Sequence, residues 1–439
     1  MQPASPTPPA AGRSLPMPES RVWYPYTQML DLAPPVEIVR GQGAWLIARD
    51  GTCYLDAISS WWVTLHGHAQ PRIAARIASQ AAQLEQVILS GFTHPLAEEL
   101  AHRLVAIAPP GLTRVFYSDD GSTAVEVALK MALQYWQQRG QPRRRRIVAL
   151  EHAYHGDTFA AMAVSAPSPF TAAFDAWLAP LQAFVARVPS QGPDALAHLE
   201  SLFADQGQEI AALIVEPLLQ GAGGMLVQPV EFLRGVRALC HRHRVLLVAD
   251  EVLTGFGRTG TMFACGQAGI VPDLMCLSKG LTAGFLPMAA TLANEEIFSA
   301  FLSRDRRQTL FHGHSFTGNP LGCAAALASL DLFASEPVLE RVAAIAAVHA
   351  RRLQRLRAHA LVRDARQAGS VAALELKLDG GYLADAGPRL RQFYLEQRLL
   401  LRPLGSVVYV LPPYCTTEAE LDWTWDVIEA SLNFISHSI

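Results

Sequence analysis

Five short apolar runs limit what this chain can fold into. They are "RVFYSD" (114–119), "RIVALEH" (146–152), "IAALIVEP" (210–217), "RVLLVADEV" (244–252) and "DLMCLSKG" (273–280). Between some of them lie stretches with helical apolar spacing, such as "AVEVALKMALQYWQQRG" and "PVEFLRGVRALCHRH". A continuously apolar strand is buried on both faces, and alternation with helices supplies the cover. The pattern predicts an α/β unit built on a parallel sheet. Ligands of such sheets bind outside the carboxyl ends of the strands, so chemistry is expected there.

The rest of the chain reads differently. "EIVRGQGAWLIARDGTCYLDAISS" alternates apolar and polar residues around Arg49-Asp50-Gly51, a hairpin signal. Residues 71–109 keep helical spacing up to Pro109-Pro110. From about residue 335 come a helix, the runs "SVAALEL" and "SVVYVLPP", and a closing helix, an α+β unit. At 439 residues the chain divides into about two or three domains. The expected division is a disordered tail (1–20), the N-terminal part of a small domain (21–60), a large domain (61–334) and the rest of the small domain (335–439). The tail is rich in Pro, Ala and Ser and lacks the apolar core of a secretory signal.

Composition removes several function classes. The formal charge is −3, which calls for no polyanion or membrane surface. No run of about 20 apolar residues reads as a membrane span. The basic run Arg143–Arg146 reads as a solvated loop, because no second basic cluster accompanies it. The six cysteines are scattered without a CxxC pair, which fits a reducing compartment, and a cytoplasmic location is the default. The pairs His66/His68, His241/His243 and His312/His314 lack zinc-hydrolase spacing, so no metal is expected.

The predicted strand ends carry Asp119 to Ser122, His152 to Asp157, Glu216, Asp250-Glu251 and Ser278-Lys279. An arbitrary lysine at such a place snorkels to solvent. Lys279 in an apolar, glycine-rich setting is also what a Schiff-base amine with a lowered pKa requires. Asp250, at the end of "LLVAD", needs a cationic or hydrogen-bonding partner, and a protonated pyridine nitrogen is one. Gly121 and Ser122 open a helix after a strand, where backbone N–H groups and the helix dipole suit a phosphate; the same residues also read as an ordinary cap. Tyr154 is placed to stack on a ring, or to pack half-buried. "GFGRTG" (255–260) matches a dinucleotide fingerprint but follows its strand too late and opens no long helix, so it is set aside.

With "YHGDT", "VEPLLQGAGG", "ADEVLTGFGRTG", "LSKGLTAGFLP" and "HSFTGNPLGCAAALASL", the sequence from about residue 23 onward resembles the class III, fold type I aminotransferases dependent on pyridoxal 5'-phosphate (PLP). That resemblance implies a large domain with a mostly parallel seven-stranded sheet between helices and a smaller α+β domain from both chain ends. It makes Lys279 the Schiff-base lysine and Asp250 the partner of the pyridine nitrogen. It stacks Tyr154 on the ring, packs Val252 behind it, and puts Gly121 and Ser122 on the phosphate. His155 and Glu216 join the cofactor's surroundings. Ser315 is implied to reach the phosphate of the neighbouring subunit in an obligate homodimer.

Within the class, "VWYPYTQM", "SSWWVTLHGH", "GSTAVEVALKMALQYW" and "LRPLGSVVYVLPPY" resemble the branch that serves biotin biosynthesis. The implied small-molecule substrates are S-adenosylmethionine as amino donor, with lysine as another donor for some relatives, and 8-amino-7-oxononanoate as acceptor. Tyr26, Trp61, Trp62, Tyr154, Gly313, Arg402 and Tyr409 are implied around the substrate, with Arg402 on its carboxylate. Three residues depart from the pattern: His314 precedes Ser315 where Pro-Thr is frequent, Asp120 replaces a Ser, and Leu404 replaces a Phe. Asp120 is expected to turn from the phosphate and cap its helix. A general ω-amino-acid:pyruvate transaminase and a non-catalytic PLP-binding protein are the alternative readings.

Overall fold

The computed structural model describes residues 20–30, 33–379, 381–383 and 385–436. Residues 1–19, nearly all of the expected tail, lie outside them. At the N-terminal end, strands β1 (Ile38–Gln42), β2 (Trp45–Ala48) and β3 (Cys53–Asp56) form an antiparallel sheet. The β2–β3 turn falls at Arg49-Asp50-Gly51, with Ala48 N–H donating to the Thr52 carbonyl.

The central sheet contains β4 (Leu112–Ser118), β5 (Arg146–Leu150), β6 (Val185–Val188) and β7 (Ile210–Val215). After a short ribbon of β8 (Leu219–Gln220) and β9 (Leu226–Val227) come β10 (Leu246–Asp250), β11 (Leu274–Leu277) and β12 (Ala289–Asn294). Seven strands run in the order β4-β12-β11-β10-β7-β5-β6. Only β12 runs against its neighbours. All five apolar runs became strands. β6 and β12 were not legible, because "VARV" has a charged residue at its centre and "AATLAN" is dominated by small residues. Every residue of β7 and β10 is buried, as a sheet covered on both faces demands.

The remaining strands are β13 (Val362–Ala368), β14 (Val371–Leu376), β15 (Leu399–Leu400) and β16 (Val407–Val410). β13, β14 and β16 make an antiparallel sheet. β15 pairs in parallel with β3, so the two ends of the chain share one sheet.

Two local expectations need correcting. Residues 71–109 hold two helices, Pro71–Ala81 and Pro95–Ile107, separated by a loop. Each starts on a proline, which fits the first turn of a helix, where its missing N–H has no acceptor to lose. The run Arg143–Arg146 is not simply a solvated loop. Arg144 is buried over the Trp136 ring and donates to the carbonyls of Gly207, Ile210 and Arg244. It staples the start of β5 to two neighbouring connections.

Candidate active site

The carboxyl ends of β7, β10 and β11 deliver Glu216, Asp250 and Lys279 to one cavity of about 410 Å³. Tyr154, His155, Gly121, Ser122 and Val252 line it too. Lys279 follows β11 by two residues and adopts a left-handed φ of 41°, a strained conformation for a side chain with a Cβ. Its Nζ lies 5.0 Å from the centroid of the Trp62 ring. Burial holds the amine below the ordinary lysine range, while Asp250 and Glu216 pull the other way. The arrangement favours a neutral amine that can accept a proton at Nζ and return it.

Asp250 accepts from two sides. His155 Nδ1 lies 2.7 Å from its Oδ2, and the Val252 N–H donates to its Oδ1 at 3.1 Å. The His155 ring and the Asp250 carboxylate are almost wholly inside the protein. Glu216 accepts from the Tyr154 N–H and the Gly221 N–H, both at 3.0 Å. Burial nevertheless pushes its carboxyl up to about 7, with His155 opposing and Asp250 reinforcing the shift.

At the other wall the Gly121–Gln138 helix begins. Asp120 is its N-cap, accepting from the Thr123 N–H at 2.9 Å, and Thr123 Oγ1 takes the Asp120 N–H in return. The expected capping is present as a capping box, while Asp120 remains among the residues that line the cavity. The first-turn amides of Gly121 and Ser122 face the cavity with no intrahelical acceptor. A Cβ on Gly121 would come 2.6 Å from Val252 Cγ1, so only glycine leaves this wall open. Ser122 Oγ accepts from the Asp157 N–H.

A second, smaller cavity adjoins the first through Trp62, Tyr154 and Lys279. Its walls include Tyr26, Trp61, Arg402, Leu404 and Tyr409. Both tryptophans reach it because Ser59–Trp62 is a distorted turn rather than an alternating strand. Ser59, Ser60 and Trp62 all have positive φ. The turn is pinned by Ser59 Oγ donating to the Leu411 carbonyl and Ser60 Oγ donating to Asp56. Trp62 is buried, with Nε1 donating to Tyr409 Oη at 2.9 Å. Trp61 is 43% exposed and carries the Arg402 guanidinium 4.6 Å above its ring. Arg402 also reaches the Tyr26 carbonyl. Tyr26 Oη donates to Asp157; burial, reinforced by that carboxylate, pushes the phenol up to about 12. Burial likewise raises Tyr154.

Ala222, Phe170 and Tyr382 were not singled out from the sequence, and Asp157 was named only as the end of the His152–Asp157 stretch, without a role. Asp157 stood inside the quoted "YHGDT" and was legible as a charge there. Phe170 packs edge-on against Tyr26 and Tyr382, 144 and 212 residues away along the chain, which no local pattern announces. Ser315 and Gly313 do not line either cavity of this single chain. They lie on an exposed loop held by Gln86, whose side-chain N–H donates to the Ser315 carbonyl. "GFGRTG" serves the framework: Arg258 is buried, stacks 4.9 Å from Tyr414 and donates to the Pro412 carbonyl.

A sequence profile described as aminotransferase class-III matches residues 28–432. The chain belongs to the class-III aminotransferases. It is 50% identical over 409 residues to the adenosylmethionine-8-amino-7-oxononanoate aminotransferase of Synechococcus elongatus, covering 91% of this chain and 95% of the relative. Its fold is similar to that of the enzyme of the same description from Methanocaldococcus jannaschii, with a TM-score of 0.88, 36% identity, and coverage of 93% and 97%. It is also similar to a PLP-bound amine transaminase from an uncultivated Pseudomonas species, with a TM-score of 0.87, 33% identity, and coverage of 94% and 98%.

The residues of this class-III aminotransferase fit PLP. The helix-start amides and the open Gly121 wall suit its phosphate, and the buried Asp250 carboxylate suits a protonated ring nitrogen. His155 Nε2 is buried without a partner, so His155 serves this site through the Nδ1 contact to Asp250. Among the described residues no group of three His, Cys, Asp or Glu side chains could hold a metal ion. Nor is any single helix among them long and apolar enough to cross a membrane.

Proposed function

We propose that this aminotransferase moves the amino group of S-adenosylmethionine to 8-amino-7-oxononanoate, giving 7,8-diaminononanoate for biotin biosynthesis, in two half-reactions. The observation that carries the reading is the junction of the two cavities at Trp62 and Lys279. A reactive amine opens directly onto an apolar slot edged by two indoles, with a guanidinium at its rim. That is the shape an alkyl chain requires when its carboxylate lies far from the reacting carbon. PLP supplies the electron sink for this chemistry and carries the amino group between the half-reactions.

The chain's own groups do the rest. Lys279 Nζ accepts the proton from the donor α-carbon and returns it at the end of the transfer. Asp250, oriented by His155, would pair with a protonated ring nitrogen. Tyr154 and Val252 would hold the ring between them, and Gly121 and Ser122 would hold the phosphate. Arg402 binds the acceptor carboxylate by charge-assisted hydrogen bonds, while Trp61, Trp62, Tyr26 and Tyr409 hold its chain.

The active unit is a homodimer in which Ser315 and Gly313 complete the partner's site. Ile88, Phe92, Phe311 and Phe316 support this reading: all are more than 60% exposed on two loops tied together by Gln86 and Asn319. Such apolar exposure marks an interaction surface. Incubating the purified protein with PLP, 8-amino-7-oxononanoate and either S-adenosylmethionine or lysine tests the reaction. Mass spectrometry is expected to detect the diamine with S-adenosylmethionine. A product only from ω-amino acids and pyruvate would overturn the assignment.

A further inference from the structure

One buried arginine outside both cavities holds a wall of the substrate slot. Arg366 lies in β13, and its side chain is only 10% exposed. Its Nε donates to the Met225 carbonyl at 3.0 Å and its Nη2 to the Gly224 carbonyl at 2.6 Å. Nη1 is fixed by Asp364 and Glu375, at 2.7 and 2.8 Å. The guanidinium therefore clamps the turn that joins β8 to β9.

That turn serves the active site at its other end. The Gly221 N–H donates to Glu216, Ala222 lines the substrate cavity with Trp62, and Gly221 sits against Leu253 with the Trp62 indole beside it. A Cβ on Gly221 would lie 3.4 Å from Trp62 Cζ3. The turn is folded tightly, with the Gly224 and Met225 amides both donating to the Gly221 carbonyl. Moving the Gly224–Met225 end therefore moves Gly221.

The register of the three-stranded sheet adds the second half of the argument. Arg366 pairs with Ala373, and Ala373 pairs with Tyr409. Directly paired residues project from one face of a sheet. Arg366 and Tyr409 thus stand in a single cross-strand row with small Ala373 between them. Tyr409 accepts from Trp62 Nε1, and Arg366 sets the turn behind the same indole. The row thus reaches Trp62 directly through Tyr409 and indirectly through the turn that Arg366 holds.

We propose that Arg366 is a positioning residue for the acceptor half-reaction, acting through the 221–225 turn on Trp62 and Ala222. The inference rests on the substrate reading given above. Losing both carbonyl contacts loosens the apolar wall without touching Lys279 or Asp250. The long keto substrate then binds more weakly, while the donor half-reaction keeps its rate.

The test uses PLP-loaded Arg366→Met, Arg366→Lys and, as a control on the same strand, Arg363→Ala. Arg363 is exposed, pairs with Glu375 at 3.3 Å, and makes no bond to the 221–225 turn. Donor and acceptor half-reactions are measured separately, together with thermal melting. For Arg366→Met the acceptor KM is expected to rise on the order of tenfold, the scale of one charge-assisted hydrogen bond. Donor turnover should stay within about twofold, a change too small to reflect a lost charge-assisted contact. Arg366→Lys, which cannot bridge both carbonyls, should fall between, and Arg363→Ala should match the wild type. Unchanged acceptor KM in Arg366→Met, or equal losses in both half-reactions tracking a lower melting temperature, overturns the inference. If Arg366→Met does not fold, Arg366→Lys decides by the same criteria. A wild-type protein that forms no diamine sinks the substrate reading itself, and a wild type that forms it beside an unaffected variant sinks this inference alone.

Discussion

Lys279 and Glu216 show how burial in one cavity shifts two opposite charges in compatible directions. Burial lowers the amine and raises the carboxyl, so each is pushed toward its neutral form. For Glu216 the folded value is about 7 against an ordinary 4.5. The folded protein thus holds a proton that the unfolded chain has lost. The stability it contributes is complete below the unfolded value and disappears as pH rises through the folded one. Between those limits the loss amounts to about 3 kcal/mol at most. Glu216→Gln is expected to remove this component from urea-unfolding curves of the cofactor-free protein collected from pH 4.5 to 8. An identical pH dependence in wild type and variant would contradict it. At this scale the sequence was informative where a residue ends a buried strand, as Asp250 and Glu216 do. It was silent on partners met only through folding, such as His155 with Asp250 or Asp157 with Tyr26.

Short elements decide how the tryptophans are used. In a regular strand Trp61 and Trp62 would face opposite sides. The distorted Ser59–Trp62 turn lets both border the slot, and its positive φ values are held by Asp56, Leu411 and Tyr409 rather than by local preference. That explains why the sequence signalled an unusual pair but not its geometry. Tyr409→Phe leaves the buried Trp62 Nε1–H without an acceptor, a cost of about 1–3 kcal/mol in unfolding free energy. The acceptor KM should rise with it, while the donor half-reaction persists. Unchanged stability and unchanged acceptor KM would contradict this role. A related limit governs β12, where small residues carry weak periodicity; in 71–109 the helical spacing was legible and the break between its two helices was not.

At the scale of the molecule, five apolar runs were enough to predict the parallel sheet and the edge where chemistry gathers. The meeting of the chain ends through β3 and β15 depends on two residues of pairing and left no trace in composition. The proposed dimer has its own test. Ser315→Asp would repel a phosphate, and Lys279→Ala removes the amine. Mixed dimers of the two variants regain one intact site if Ser315 acts across the interface, so activity should return on co-expression. No recovery would put Ser315 in its own subunit's site or in none.

The central claim is that the amino group passes through the Lys279 cavity from a donor to the keto carbon of the acceptor lying along the Trp61–Trp62 wall. The most direct measurement is nitrogen tracing. The protein is given S-adenosylmethionine labelled with heavy nitrogen in its α-amino group, together with unlabelled 8-amino-7-oxononanoate. The account predicts a diamine with a single heavy nitrogen, at the former keto carbon, and none from Lys279→Ala. Label in no diamine from the wild-type protein, or equal product from Lys279→Ala, would contradict it.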